Sequence, residues 1–272
     1  MIPVFDSTSL KTYVTCPRKF YWRYVKDLIP QQWLDKEPAP LGFGGAIHEA
    51  LDVWYSSGNE QEALNAFYDN WQDREEETLR TRERGEKVLE KYFERYNQEP
   101  FEIIAGPEHE FCINIGGYDF AGRLDMAVQW SGMNLIMDHK TSSRMSRYYY
   151  HRFRPDIQMS AYPLAAQKIF NKVFHGTVIN VLYFTKTEYD FDRDISYREE
   201  WELELTERLL AKWMSDIDSL PKDDYRAWEP RWTSCMAYMK PCPYRDLCIT
   251  AEPGMLVDTM YAVEQWNPLN RD

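Results

Sequence analysis

No stretch of this sequence approaches the roughly 18 uncharged apolar residues that a membrane helix requires, and its opening residues MIPVFDSTSLKTY do not run from basic to apolar as a signal peptide does. The expectation is a soluble, cytoplasmic protein with no membrane partner. Cations are in the minority, 32 Lys and Arg against 44 Asp and Glu, for a net charge of −12. That balance argues against a protein that binds nucleic acid by bulk electrostatics, because neutralising phosphates takes clustered Lys and Arg. There are five cysteines, and an odd count in a chain without a leader argues against a disulfide framework. No GxxxxGKS/T phosphate loop occurs, so any unwinding of a duplex has to come from a partner. Internal repeats and low-complexity tracts are missing too.

What is present is apolar: 44% of 272 residues are hydrophobic and 15% aromatic, enough for one large core or a core with an inserted subdomain. The cations are also unevenly spread. Lys140, Arg144, Arg147, Arg152 and Arg154 run without an intervening acid and are interleaved with Tyr148, Tyr149, Tyr150 and Phe153. Lys11, Arg18, Lys19, Arg23 and Lys26 alternate in the same way with Tyr13, Phe20, Tyr21, Trp22 and Tyr24. Cations beside stacking rings suit single-stranded nucleic acid, and Arg147 and Tyr149 are the candidate contacts. Either segment reads equally well as an amphipathic helix with core aromatics and solvated charges.

Apolar spacing after Ser7-Thr8-Ser9 predicts a helix to about Tyr24, interrupted at Pro17, and a second helix leads from Gly42 to about Tyr55. Residues 59–97 predict two solvent-facing helices, a lid or buttress. Strand character then begins in HEFCINI and continues in YDFAGRLDMAVQW and NLIMDHKT, separated by Gly116-Gly117 and Ser131-Gly132, which predicts a three-stranded meander. A helix from about Pro155 to Phe170, a β-branched run GTVINVLYFTKT and a helix from about Tyr197 to Leu220 follow.

Pairing across Ser131-Gly132 brings Asp125 towards Asp138, since opposed side chains sit about 5 Å apart. Two carboxylates so placed repel unless a cation lies between them. Strand alternation puts Lys140 on the face of Asp138. A divalent metal on the acids to activate water, with an ammonium beside it, is the logic of phosphodiester hydrolysis. A D-x-K triplet alone is a weak signal. It gains weight because charges at the end of the apolar run Leu135-Ile136-Met137 are costly unless they serve chemistry.

Gly44-Gly45-Ala46-Ile47-His48-Glu49-Ala50, Gly122-Arg123-Leu124-Asp125, Asp138-His139-Lys140-Thr141 and Gln158-Met159-Ser160-Ala161-Tyr162 occur in the order of the motifs of RecB-like PD-(D/E)xK nucleases, and the chain resembles that family over nearly its whole length. Ser9-Leu10 and Cys16-Pro17-Arg18-Lys19-Phe20 are similar to the family's first helix. Leu124 stands where the family name has Pro, at a position that is loose in the RecB-like branch. The resemblance implies an α/β fold with a restriction-endonuclease-like core, a central mixed sheet flanked by helices, and one nuclease domain spanning 1–272 with a helical insertion at about 59–97. It implies a DNA exonuclease using Mg or Mn, with His48, Asp125, Asp138 and the His139 carbonyl as metal ligands, Lys140 as the catalytic lysine, and Gln158 and Tyr162 contacting DNA or bracing the lysine. Glu110 is a weaker acidic candidate. Implied partners are single-stranded or end-containing DNA and a helicase, recombination or CRISPR component. A zinc-stapled endonuclease or RNA nuclease, and a DNA-binding scaffold without turnover, are the rival readings.

Among the cysteines, Cys112 lies in a strand between Phe111 and Ile113 and reads as a buried small hydrophobe. Cys235, Cys242 and Cys248 sit in a weakly periodic tail, about 230–250, and their spacing fits zinc or an iron-sulfur cluster equally. The resemblance implies a 4Fe-4S cluster held by Cys16 and these three, tying the N-terminal helix to the tail. Six residues separate Cys235 from Cys242 where the common form of that tail has two.

Overall fold

A run of strands that is apolar on both faces needs cover on both sides, and in the computed structural model, which describes residues 4–35, 38–237 and 240–269, that cover comes from helices. The chain divides into two compact units. One comprises residues 38–111 and 123–203; the other draws on the described residues before 38, on 112–122 and on those from 204 onward.

The chain opens with α1 (Ser7–Thr15), α2 (Pro17–Phe20), a π-helical turn (Tyr21–Val25), β1 (Leu28–Pro30) and α3 (Gln32–Asp35). Asp6 and Ser9 form a reciprocal capping box at the start of α1. The expected single helix ends at Cys16, which is extended at φ −163°, and Pro17 restarts it at a first-turn position where its missing N–H costs nothing. Phe20, Tyr21 and Trp22 are buried, and Trp228 stacks on Phe20 with centroids 5.7 Å apart. Arg18 donates to the Trp228 carbonyl at 2.7 Å and Arg23 pairs with Glu264. Phe20, Tyr21 and Trp22 of the first basic-aromatic segment are therefore core rather than a stacking platform.

Next come α4 (Ala39–Ser57), α5 (Glu60–Asn70), α6 (Arg82–Arg95) and β2 (Phe101–Ala105). Gly58 closes α4 in the left-handed region, and the Asn59 side chain caps α5. These helices are not merely solvent-facing as expected. Phe67, Val88, Leu89, Tyr92 and Phe93 are buried in one cluster with Phe43, Ile47 and Leu51 of α4.

The expected meander is instead two hairpins. β3 (His109–Ile115) and β4 (Tyr118–Leu124) form one, β5 (Met126–Trp130) and β6 (Met133–Ser142) the other, and Asp125 is the joint between them rather than a strand residue. Leu124, Asp125 and Met126 are all buried, which breaks the one-in, one-out alternation that a continuous strand would keep. Ser131 and Gly132, at φ 52° and 80°, make the two-residue turn that suits strand twist. Then follow α7 (Ile157–Phe170), β7 (Gly176–Phe184), β8 (Tyr189–Tyr197), unforeseen in the sequence, and α8 (Glu200–Ser219).

The central sheet has the order β2-β5-β6-β7-β8, and it is mixed because β6 and β7 are parallel while the other pairs are antiparallel. A parallel pair needs a crossover, and α7 supplies it. Leu182 and Phe184 of β7 join the cluster of α4 to α6, Val178 joins a second with Met126 and Met137, and Ile179 and Val181 join a third with Met159 of α7.

The tail carries β9 (Met236–Ala237), β10 (Lys240–Pro241), α9 (Arg245–Ile249), α10 (Gly254–Met260) and β11 (Tyr261–Val263), the last paired antiparallel with β1. It has more to fold it than cysteines: Trp228, Tyr244 and Leu247 are fully buried, and the Tyr244 hydroxyl donates to the Leu28 carbonyl at 2.7 Å. Cys112 corrects another expectation. Alternation that buries Phe111 and Ile115 turns the intervening Cys112 outward, where it is exposed. Among the described residues, no helix is long and apolar enough to cross a membrane.

Candidate active site

The unit made of 38–111 and 123–203 contains every candidate ligand for a divalent cation and the candidate lysine. Helix α4 brings His48. Its Gly44, where an added Cβ would lie 3.3 Å from Thr141 Oγ1, lets the helix run close to the end of β6. One turn on, His48 Nδ1 lies 3.5 Å from Asp125 Oδ2. Met126 pairs with Met137, so Asp125 falls opposite Asp138 one step further along the same register. Asp125 Oδ2 also accepts the main-chain N–H of His139 at 2.7 Å.

Asp138 and His139 are buried at 1% exposure each, at the end of the apolar run Leu135-Ile136-Met137. Lys140 Nζ lies 2.6 Å from Asp138 Oδ2, and Gln158 Nε2, from the first turn of α7, donates to Asp138 Oδ1 at 3.0 Å. Gln158 thus braces the aspartate rather than the lysine. Burial pushes the Asp138 carboxyl up to about 6, with Asp125 adding to the rise and Lys140 opposing it. Burial works against the Lys140 ammonium, but the Asp138 and Asp125 carboxylates outweigh it and raise its pKa, so it stays charged at neutral pH. Burial and then the His48 charge hold His139 well below the usual histidine range.

One acidic residue at this site escaped the sequence reading. His48, Glu108 and Asp125 each offer a ligand atom, all within 4.8 Å of one another. Glu108 sits in the turn before β3 at φ 53°, donates its main-chain N–H to the Asp125 carbonyl at 3.2 Å, and pairs with Arg123 at 3.0 Å. Glu110, the weaker candidate, points its carboxylate at the other Arg123 nitrogen, 2.9 Å away, and is half exposed. Nothing in the spacing singled out Glu108, because a turn residue belongs to no periodic pattern. Two carboxylates and an imidazole, with Asp138 adjoining, form an oxygen-rich set that fits Mg or Mn.

Among the candidate DNA contacts, Tyr149 is buried at 6%, packed on Tyr150 and Phe153 with Arg152 over its ring. It cannot stack on a base, and this corrects its assignment. The exposed ring is its neighbour Tyr148, 56% exposed, with the Arg147 guanidinium 4.6 Å over it. Arg154 is committed to the Tyr197 carbonyl and Glu202. Tyr162 is buried edge-on against Phe111.

The four tail and helix cysteines gather in the other unit. The thiols of Cys16 and Cys235 act on Cys242, and those of Cys16 and Cys242 on Cys248, each adding to a pKa already raised by burial. Cys242 donates its main-chain N–H to the Cys235 carbonyl at 2.8 Å, and Cys16 Sγ accepts the Arg231 N–H at 3.4 Å. Four thiols within electrostatic reach, one already accepting a main-chain N–H, fit a thiolate-ligated centre.

A family model described as the PD-(D/E)XK nuclease superfamily matches residues 7–249. Among solved structures, the chain is similar to a Eubacterium rectale protein described as a candidate exonuclease, at 13% identity and a TM-score of 0.50, over 91% of this chain and 93% of that one. It also matches the structure of SSO0001 at 14% identity and a TM-score of 0.35, over 83% and 80% of the two chains. At such identities the first likeness is one of fold. No curated protein matches the chain in sequence.

Proposed function

This chain belongs to the PD-(D/E)XK nuclease superfamily, and from that premise we propose that it is a Mg- or Mn-dependent DNA exonuclease of the RecB-like branch, favouring single-stranded ends and carrying a 4Fe-4S cluster. The observation that carries the catalytic part is the meeting of His48, Glu108 and Asp125 beside the buried Asp138 and its half-buried partner Lys140. A divalent cation at these carboxylates would lower the pKa of bound water and offset charge building on the phosphate.

Asp125 and Asp138 would hold that cation, with His48, Glu108 and the His139 carbonyl as the protein's further donors. Lys140, kept as an ammonium by its acidic neighbours, would donate hydrogen bonds to the attacking water or a phosphate oxygen; a raised pKa unsuits it to act as the base. Hydrolysis forms one P–O bond and breaks another, with a proton leaving the attacking water and one arriving on the departing sugar oxygen. Gln158 would keep Asp138 from turning away from its ligand position. The exposed Arg147–Tyr148 stack supports a preference for unpaired bases.

Cys16, Cys235, Cys242 and Cys248 would hold the cluster as a structural tie. Their placement within one unit supports this reading, and zinc is the competing occupant to be tested.

The deciding experiment is digestion of end-labelled linear and covalently closed DNA, single-stranded and blunt, with Mg or Mn and with excess EDTA. Degradation from ends that stops in chelator, and that Asp138→Ala and Lys140→Ala each abolish, is the expected result. Equal cutting of closed circles would make the enzyme an endonuclease, and turnover in chelator would remove the metal reading.

A further inference from the structure

We propose that Asn180 is a positioning residue for the candidate site, holding the His139 imidazole as its Nε2–H tautomer and through that ring fixing the strand segment between Asp138 and Lys140. The inference rests on the nuclease reading for its consequence but on hydrogen-bond logic for its substance.

Asn180 is fully buried and is the direct register partner of His139 in the parallel pair of β6 and β7, so the two side chains stand beside each other on one face of the sheet. Behind Asn180 lies Arg193 of β8, 5% exposed in its side chain. Arg193 grips Glu99 through both terminal nitrogens, at 2.5 and 2.8 Å, and reaches the hydroxyls of Tyr55 and Tyr92 at 3.1 and 3.0 Å. Its Nε lies 2.9 Å from the remaining neighbour, the Asn180 side-chain oxygen. A guanidinium has donors only, so the amide atom facing it must be the oxygen. The amide NH2 therefore points the other way, to the Tyr92 hydroxyl at 2.8 Å and to His139 Nδ1 at 2.6 Å. An NH2 group can only donate, so Nδ1 must offer a lone pair. The ring proton is left on Nε2.

The ring fixed in this way touches the site on two sides. Tyr55 stacks on it at 5.7 Å and 12°, and the His48 ring meets it edge to face at 5.8 Å and 82°. Its own main-chain N–H holds Asp125. Desolvating an Arg–Glu pair is costly unless the geometry is well satisfied, and this pair presents a single preset donor, Arg193 Nε–H, to the Asn180 side-chain oxygen. Outer partners of this kind usually govern metal affinity by 10–100-fold.

Nitrogen-resolved NMR of the imidazoles in metal-free protein tests the tautomer directly, with five histidines to assign and His139→Gln to identify the signal. The wild type should show Nε2–H. Asn180→Asp keeps the acceptor for Arg193 but can no longer donate to Tyr92 or to His139, so a proton should appear on Nδ1. Calorimetric Mn titration of Asn180→Asp and of the apolar, similarly sized Asn180→Leu should show affinity weakened about tenfold or more, with KM for single-stranded DNA within about twofold of wild type. An Nδ1–H tautomer in the wild type overturns the proposal, as does unchanged Mn affinity in whichever variant is folded. A wild type that neither binds Mn nor cuts DNA would sink the nuclease reading instead, while the tautomer result would still decide this one.

Discussion

The main-chain N–H of His139 donates to Asp125 Oδ2 at 2.7 Å, so the carboxylate at the joint between two hairpins is tied to the strand that carries the other acid. One side chain is thus a clamp as well as a proposed ligand. Asp125→Asn retains an acceptor for that N–H and should lose at least about 100-fold in activity with little change in melting temperature. Asp125→Ala should also lose stability, by about 1–3 kcal/mol, because it leaves a buried N–H without its partner. Thermal melts of the two variants side by side decide it; equal melting temperatures would mean the clamp contributes nothing.

The second expectation concerns pH. The Asp138 carboxyl is raised to about 6 from a usual value near 3.8. A folded-state pKa above the unfolded one means the metal-free fold holds this proton more tightly, so the group's contribution to stability is complete below pH 3.8 and is lost as pH rises through about 6. A divalent cation competes for the same oxygens. Its affinity should therefore climb about tenfold per pH unit below 6 and level off above 7. The rise in melting temperature on adding Mg, followed from pH 5 to 8, reads this out, and a flat profile would remove Asp138 from the ligand set.

Adjacent tyrosines should behave oppositely. Tyr148→Ala removes an exposed ring and should weaken single-stranded DNA binding by about 1–3 kcal/mol without altering stability. Tyr149→Ala empties a buried position and should cost about 2–4 kcal/mol of stability. Fluorescence anisotropy with a labelled single strand, beside denaturant melts, separates the two; identical profiles for both variants would refute the division of labour.

Protein purified without oxygen should be brown, absorbing near 400 nm, and replacing any one of Cys16, Cys235, Cys242 or Cys248 by Ala should remove the colour. Cys112→Ala, on an exposed face, should keep it. Because Trp228, Tyr244 and Leu247 also hold the tail, the cysteine variants should be destabilised yet remain folded. Colourless protein with one equivalent of zinc would keep the tie and discard the cluster; metal-free protein as stable as the four-cysteine variant would discard both.

Residues whose position follows from a period were legible in the sequence. The lysine two residues beyond Asp138 shares its face because strands alternate, and His48 follows Gly44 by one helical turn. Residues set by turns and by burial were not. Glu108 reaches Asp125 from a left-handed turn, a conformation that leaves no trace in apolar spacing. Strand β8, read as nothing in YDFDRDISY, is a sheet edge whose polar alternation resembles a loop. Tyr149 and Cys112 failed for a shared reason: composition indicates that a segment is aromatic or apolar, while burial is decided residue by residue by which way the backbone turns.

The interleaving of the two units also orders events during synthesis. Residues 38–203, which include the whole candidate site, are made before any of Trp228, Cys235, Cys242 or Cys248 exists. Phe20 and Tyr21 are made some 200 residues before Trp228, the ring that will cover them. The nascent chain therefore carries an uncovered aromatic segment while those residues are added, a natural target for a chaperone. A chain ending after residue 203 would hold every candidate ligand for the divalent cation but none of the three tail cysteines, and its aromatic segment would still be without the tail that covers it.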